Sequence, residues 1–361
     1  MLFKIKNTKN MSNMVEKIVQ YLYNNSVISL VHYEGYIIML EKKRINWIDI
    51  ANGIAISLIA IFHISQNKYI NTVIISFALP TFAFISGYLF KPKGIKENFK
   101  RRIITLIVPY LIIGTLELIY YWLFECRFRE HTCNFLQSVL GLLSGYYDWL
   151  EFNVHLWYLP FFFMLTNLYN FLYVKLNKNV ARLSFIILAI LGCFVDIPNL
   201  PLSINRVELF MYYAMGEILQ NKIKLIDQSK KSFKFLIMFC CAIAFAGMTY
   251  FNFTWNVLGF IRAFLGIFVI IIISKMIEDK DFIFKKLGKE SLIILCVHGP
   301  IYRILIKLMS VIIGVDSNAI RNTGHFCLIV VVLDLLISYG LSLMFKNIIT
   351  FKNRARKEVE E

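Results

Sequence analysis

His63 closes an almost wholly apolar run, NGIAISLIAIFH (52–63). An imidazole titrates near neutrality, so in such a place it can take a proton from an attacking hydroxyl or carry an acyl group on nitrogen. Asn52 and Asp49 precede it by eleven and fourteen residues. At about 100° per residue, all three fall within roughly 40° of one line along a helix. A polar stripe of that length through apolar sequence lines something. A histidine here also fits a packing role, hydrogen-bonded to a neighbouring helix.

Other polar groups fall inside apolar runs: Glu117, Arg206, Glu208, Glu217, Arg262, His298, Arg303 and Lys307. Each is costly in hydrocarbon unless paired or wetted, so together they point to a cavity or pathway. Glu117, Glu208 and Glu217 are the expected partners of Arg206 and Arg262. His298 is followed by Gly299 and Pro300, where a broken helix frees backbone groups. There is no phosphate-binding glycine loop, no G-x-S-x-G, no HExxH and no CxxC pair, and neither a metal nor a permanently bound cofactor is expected from local spacing.

The elements that must hold these groups are membrane helices. The chain is 58% hydrophobic and 16% aromatic, with a mean hydropathy of +0.62, well above a soluble domain. Its +16 charge sits in short clusters between apolar runs. That is the pattern of cytoplasmic loops, and it argues against nucleic acid as a partner. Runs long enough to cross a bilayer lie at roughly 47–67, 70–90, 103–124, 154–174, 183–199, 204–220, 233–251, 257–277, 288–314 and 325–349. Alternate connections are basic (KPKGIKENFKRR, KLNKNVAR, NKIKLIDQSKKSFK, KDFIFKK), and those between are neutral or acidic. The expected fold is therefore an all-α polytopic bundle of about ten transmembrane helices with both termini cytoplasmic. Residues 1–43 form an N-terminal extension, either a surface amphipathic helix or translation upstream of a start at Met39; 44–350 form the membrane domain and 351–361 a charged tail. Cys126 and Cys133 share a polar loop, as a disulfide or as two thiols.

RINWIDIANGIAISLIAIFH resembles the first span of the membrane acyltransferase 3 family, particularly its bacterial sugar O-acetylase branch. FALPTFAFISGYLF, RRIITLIVPY, HLWYLPFFF and GKESLIILCVHGP resemble later signatures of that family in the same order. The pattern departs at Asn52, where the family carries lysine or arginine; Arg44 or Lys43 stands nearby at the membrane edge. The resemblance implies transfer of an acyl group, usually acetyl, from cytoplasmic acyl-CoA (acetyl-CoA) to a hydroxyl of a cell-envelope sugar or polysaccharide, in the cell membrane. It places catalysis on His63, with Asp49 and Asn52. Arg44, Arg101 and Arg102 would hold the donor's phosphates, since guanidinium forks suit phosphate, although the last two equally fit positive-inside topology. His155, Trp157, Arg262 and His298 would line the acceptor site. An aromatic belt accounts for Trp157 just as well. A transporter or flippase is the competing class; it predicts inverted repeats, and none stands out.

Overall fold

The structure is a computed structural model that describes residues 45–127, 133–195, 197–251, 257–279 and 283–360, with residues 346–360 described by their backbone alone. The expected N-terminal extension, Arg44 and the side chains of the charged tail lie outside the described residues. The chain is helical, with no strand among the described residues.

The first helix, α1 (Asn46–Ile64), is buried on consecutive positions from Trp47 to Ala51 and again at Gly53, Ala55, Ile56, Ile59 and Ala60. A helix apolar on all sides belongs in the middle of a bundle. The later segments duly surround it. Lys68–Ile75 (α2) and Ala78–Tyr88 (α3) form the second span. Ile95–Arg102 (α4), a π-helical turn at Ile103–Ile107, and Val108–Leu123 (α5) form the third. Phe135–Ser144 (α6) lies in the long connection that follows. Tyr158–Lys175 (α7), Lys178–Gly192 (α8), Glu208–Ile218 (α9) and Gln220–Asp227 (α10) come next. The remaining helices are Lys231–Tyr250 (α11), Val257–Met276 (α12), Ile283–Lys289 (α13), Ser291–Ile313 (α14), Ser317–Asn322 (α15) and Gly324–Glu360 (α16). Helices α3, α12, α13, α14 and α16 all touch α1. Against α13 the approach is backbone to backbone, because a Cβ on Gly53 would overlap the Phe284 carbonyl and one on Gly288 the Asp49 carbonyl. At the other extreme stands α11, which buries only Lys234 and presents its apolar sides outward, as a lipid-facing helix does.

Every apolar run expected to span contains helix. Among the described residues, seven candidate spans are long and apolar enough to cross a membrane: Asn46–Ile64, Lys68–Tyr88, Ile95–Arg127, Lys231–Tyr250, Val257–Met276, Ser291–Ile313 and Gly324–Phe345. The other three expected runs correspond to α7, α8 and α9, of 18, 15 and 11 residues. Pro80, Pro109 and Pro160 each sit in the first turn of a helix, where a missing N–H costs little; Pro80 follows the break between α2 and α3, and Pro109 the π-helical turn. Asn67, Asn134, Asn177 and Asp316 cap α2, α6, α8 and α15, each accepting from a backbone N–H.

Candidate active site

Three imidazoles meet where α1 ends. The ring centres of His63 and His155 are 3.8 Å apart, those of His155 and His298 4.4 Å, and those of His63 and His298 5.4 Å. His155 and His298 are buried and His63 is partly accessible. Sequence and local chemistry fix how each ring arrives.

Asn153 opens a short 3-10 turn, Val154–Trp157, and its Oδ1 accepts from the His155 backbone N–H at 3.2 Å. The same oxygen lies 2.7 Å from His155 Nδ1. Its amide nitrogen donates to Glu117 Oε2 at 2.7 Å and to the Cys296 carbonyl at 2.6 Å. Two acceptors on one side settle the orientation of the amide, so Oδ1 faces the ring and His155 carries its proton on Nδ1. The Cys296 carbonyl is available because Pro300, four residues on and inside α14, has no N–H to offer it. The freed backbone group expected beside His298 is thus present, and Asn153 takes it. His298 Nδ1 lies 3.1 and 3.0 Å from the carbonyls of Ile294 and Leu295, so it too is protonated there. Both Nε2 atoms are left with a lone pair and no hydrogen-bond partner. The backbone of Gly299 passes close to this set: a Cβ there would stand 2.7 Å from Asn153 Oδ1 and 2.9 Å from His155 Nδ1.

His63 is held through its backbone. Arg321 on α15 donates from Nε to the Ile64 carbonyl at 2.9 Å and from Nη2 to the His63 carbonyl at 3.1 Å. A guanidinium on the open carbonyls of a helix end is favourable on both hydrogen-bond and dipole grounds. On the adjoining side, Arg303 pairs with Glu125 at 3.0 Å and donates to the Phe152 carbonyl at 2.6 Å, fixing the segment that leads into Asn153. The loop cysteines Cys126 and Cys133 are joined as a disulfide, and Tyr121 Oη lies 3.2 Å from Cys133 Sγ.

Of the residues singled out in the sequence, the structure brings together His63, His155 and His298. Asp49 and Asn52 occupy the opposite end of α1, about 21 and 16 Å along the axis from His63, with Asp49 buried. Arg101 and Arg102 end α4, whose Asn98 donates to Asn167 midway along α7 and whose Phe99 packs on Phe163, so they stand beside the body of α7 and apart from the imidazole cluster. Trp157 turns away from the imidazoles and, with Tyr147, faces the guanidinium of Arg206 at 5.5 Å. Arg262 is buried beside Tyr212, with Nε and Nη1 unpaired. Among the described residues no ion pair joins Arg206 or Arg262 to these acids, although Arg206 stands near enough to act on the charge of Glu208: Glu217 binds Arg182 through both oxygens, at 2.6 and 2.8 Å, and Glu117 binds Asn153. Aromatic contacts serve Arg206 in their place.

The profile of the acyltransferase domain family matches residues 45–343, most of the chain. The chain belongs to the acyltransferase 3 family. This covers every element just described, from α1 to the body of α16, so the family assignment embraces the whole imidazole cluster and both of its arginine clasps. No curated protein and no solved structure matches the chain. As a member of the acyltransferase 3 family with several apolar helices, it is a multi-pass membrane protein.

Proposed function

We propose that this protein is an integral membrane O-acyltransferase, with acetyl as the transferred group, that moves the acyl from cytoplasmic acyl-CoA to a hydroxyl of a cell-envelope sugar or polysaccharide. The observation that carries the reading is the partly accessible His63 among buried, tautomer-fixed imidazoles, within a family of acyltransferases. His63, whose ring makes no hydrogen bond among the described residues, is the one free to accept the hydroxyl proton or to hold the acyl group. His155 and His298 present bare Nε2 atoms that suit a sugar hydroxyl as donor. Asp49 and Asn52, one end of α1 away, act on the path from the cytoplasmic side and not at the reacting atoms. The family's usual cation is replaced at Asn52, whose Oδ1 is buried without a partner. Mass spectrometry of envelope glycans with and without the gene tests the whole reading. Loss of a 42 Da increment per acetyl is expected, and unchanged glycans overturn it.

The donor end rests on Arg101 and Arg102. Arg102 is half-buried and its Nε lacks a partner, leaving a donor ready for phosphate. Replacing both with Gln should weaken acyl-CoA binding by about 1.5–3 kcal/mol for each phosphate bond lost, while acceptor binding stays as it was. Isothermal titration with acyl-CoA checks this, and wild-type affinity in the inserted double variant reduces the pair to a topology signal.

Topology follows from the loop charges, with ten crossings and both termini inside. Asn153 is a poor place for a label because it is fully buried and triply bonded. Asp148, exposed on the same connection, serves instead. Asp148→Cys should react with an impermeant maleimide on intact cells, and Lys96→Cys only after permeabilisation. The reverse pattern inverts the arrangement.

A further inference from the structure

The His63, His155 and His298 rings share a feature that one acceptor hydroxyl does not use up, since a single hydroxyl proton satisfies one lone pair and two buried ones stand here. The two buried rings have their Nδ1 protons committed to oxygen acceptors, and their Nε2 lone pairs meet no donor. One ligand atom from each of the three residues lies within 4.8 Å of the other two. Gathering bare lone pairs in a buried place is unfavourable unless an electrophile sits among them.

We propose that these three imidazoles bind a divalent ion of the zinc type, through Nε2 of His155, Nε2 of His298 and a ring nitrogen of His63. Ligating histidines characteristically donate their other ring N–H to a carbonyl or, directly or through a relay, to a carboxylate, which fixes the tautomer and raises ligand basicity. His298 does so to the Ile294 and Leu295 carbonyls, and His155 does so through Asn153 to Glu117. Imidazole nitrogens suit Zn, Cu, Ni and Fe, and three of them with an open fourth position is the pattern of a catalytic zinc site. Ligand nitrogens on a tetrahedral zinc stand about 3.4 Å apart. The ring centres of such ligands stand about 5 Å apart, which the His63–His298 pair already matches at 5.4 Å. The His155 pairs, at 3.8 and 4.4 Å, must open by about an ångström, and His63, with no ring hydrogen bond among the described residues, is the one free to turn. Glu117 offsets the charge nearby; of the two guanidiniums close to the rings, Arg303 is paired with Glu125, and Arg321 is turned to the His63 and Ile64 carbonyls. The ion site stands on this geometry alone and goes beyond the transfer reading. His155 and His298 are the standing ligands, and His63 completes the shell only while its ring is not engaged in transfer; the ion would supply a Lewis acid beside the place assigned to the acceptor hydroxyl.

The test uses the full chain, purified in detergent without a histidine tag, loaded with zinc chloride and freed of loose ions by desalting. Mass-spectrometric metal analysis should find about one zinc per chain in the wild type and in His325→Ala, which alters an exposed histidine on α16. His155→Ala and His298→Ala should each retain less than about a tenth as much. Zinc-free wild type, or variants that hold as much as the wild type, overturns the site. Cobalt loading of the unmutated protein gives a second reading that no folding defect can confuse. Intense visible bands of four-coordinate cobalt are expected, and a spectrum of hydrated cobalt alone refutes the proposal. Neither measurement assays transfer, so a metal-free but active transferase sinks the ion and spares the enzyme, whereas zinc binding with unchanged envelope glycans does the opposite.

Discussion

His63→Gln is expected to lower the transfer rate by about 10² to 10⁴ while leaving the amount of folded protein near wild type. Glutamine keeps a hydrogen-bonding head and much of the volume, but it takes no proton near neutral pH and carries no acyl group. The fold should tolerate it because the end of α1 is held by the main chain: Arg321 grips the His63 and Ile64 carbonyls whatever side chain position 63 bears. Truncating a partly accessible side chain also removes less packing than truncating a fully buried one. Acetyl transfer to a model acceptor, measured beside the thermal midpoint of the detergent-solubilised protein, separates the two effects. A fully active His63→Gln protein would leave the imidazole with a packing role only.

Asn153→Ala should instead damage both stability and transfer. One amide group there serves four others: the Glu117 carboxylate, the Cys296 carbonyl, the His155 backbone N–H and the His155 ring. Alanine leaves them all buried and unpaired, including a group capable of charge. Breaking such a buried polar set costs about 3–5 kcal/mol, a large fraction of the roughly 5–15 kcal/mol margin of an ordinary domain. His155 also loses the bond that selects its tautomer, so any protein that survives should transfer slowly. Adding Glu117→Leu removes the stranded carboxyl and is expected to restore part of the melting temperature without restoring activity. A thermal midpoint within a degree or two of wild type for Asn153→Ala would mean that water replaces the amide.

How much of this was legible in the sequence depended on whether the signal was local. Helix existence was, since apolar runs of bilayer length leave the backbone no other way to satisfy itself; each run contains helix, and seven are long enough to span among the described residues, while the run 183–199 leaves its helix at Gly192. Which helices stand in the middle was not read, although consecutive buried positions such as Trp47–Ala51 distinguish α1 from α11 once packing is known. His63, His155 and His298 were each picked out, yet as a base and two acceptor contacts. Their convergence is a property of the tertiary fold, and ligand spacing along the chain carries no trace of it. Asn153 carries no mark of its role in the sequence, because asparagine before a helix is an ordinary cap. The available clue was Pro300, which deprives the Cys296 carbonyl of its helical partner and so requires a donor from elsewhere. Arg321 was missed altogether, since one arginine in a short polar connection looks like any solvated charge.

The clasp between Arg321 and the His63 carbonyl joins positions 258 residues apart, and this has a consequence for biosynthesis. Helix α1 is among the first described segments to leave the ribosome, and α14 and α15, which bring His298 and Arg321, are among the last. At roughly 5–20 residues per second, the nascent chain spends many seconds in the membrane with its first helix unclasped and its imidazole alone. An unfinished copy therefore lacks both the third imidazole and the clasp on the end of α1 until α14 and α15 are made.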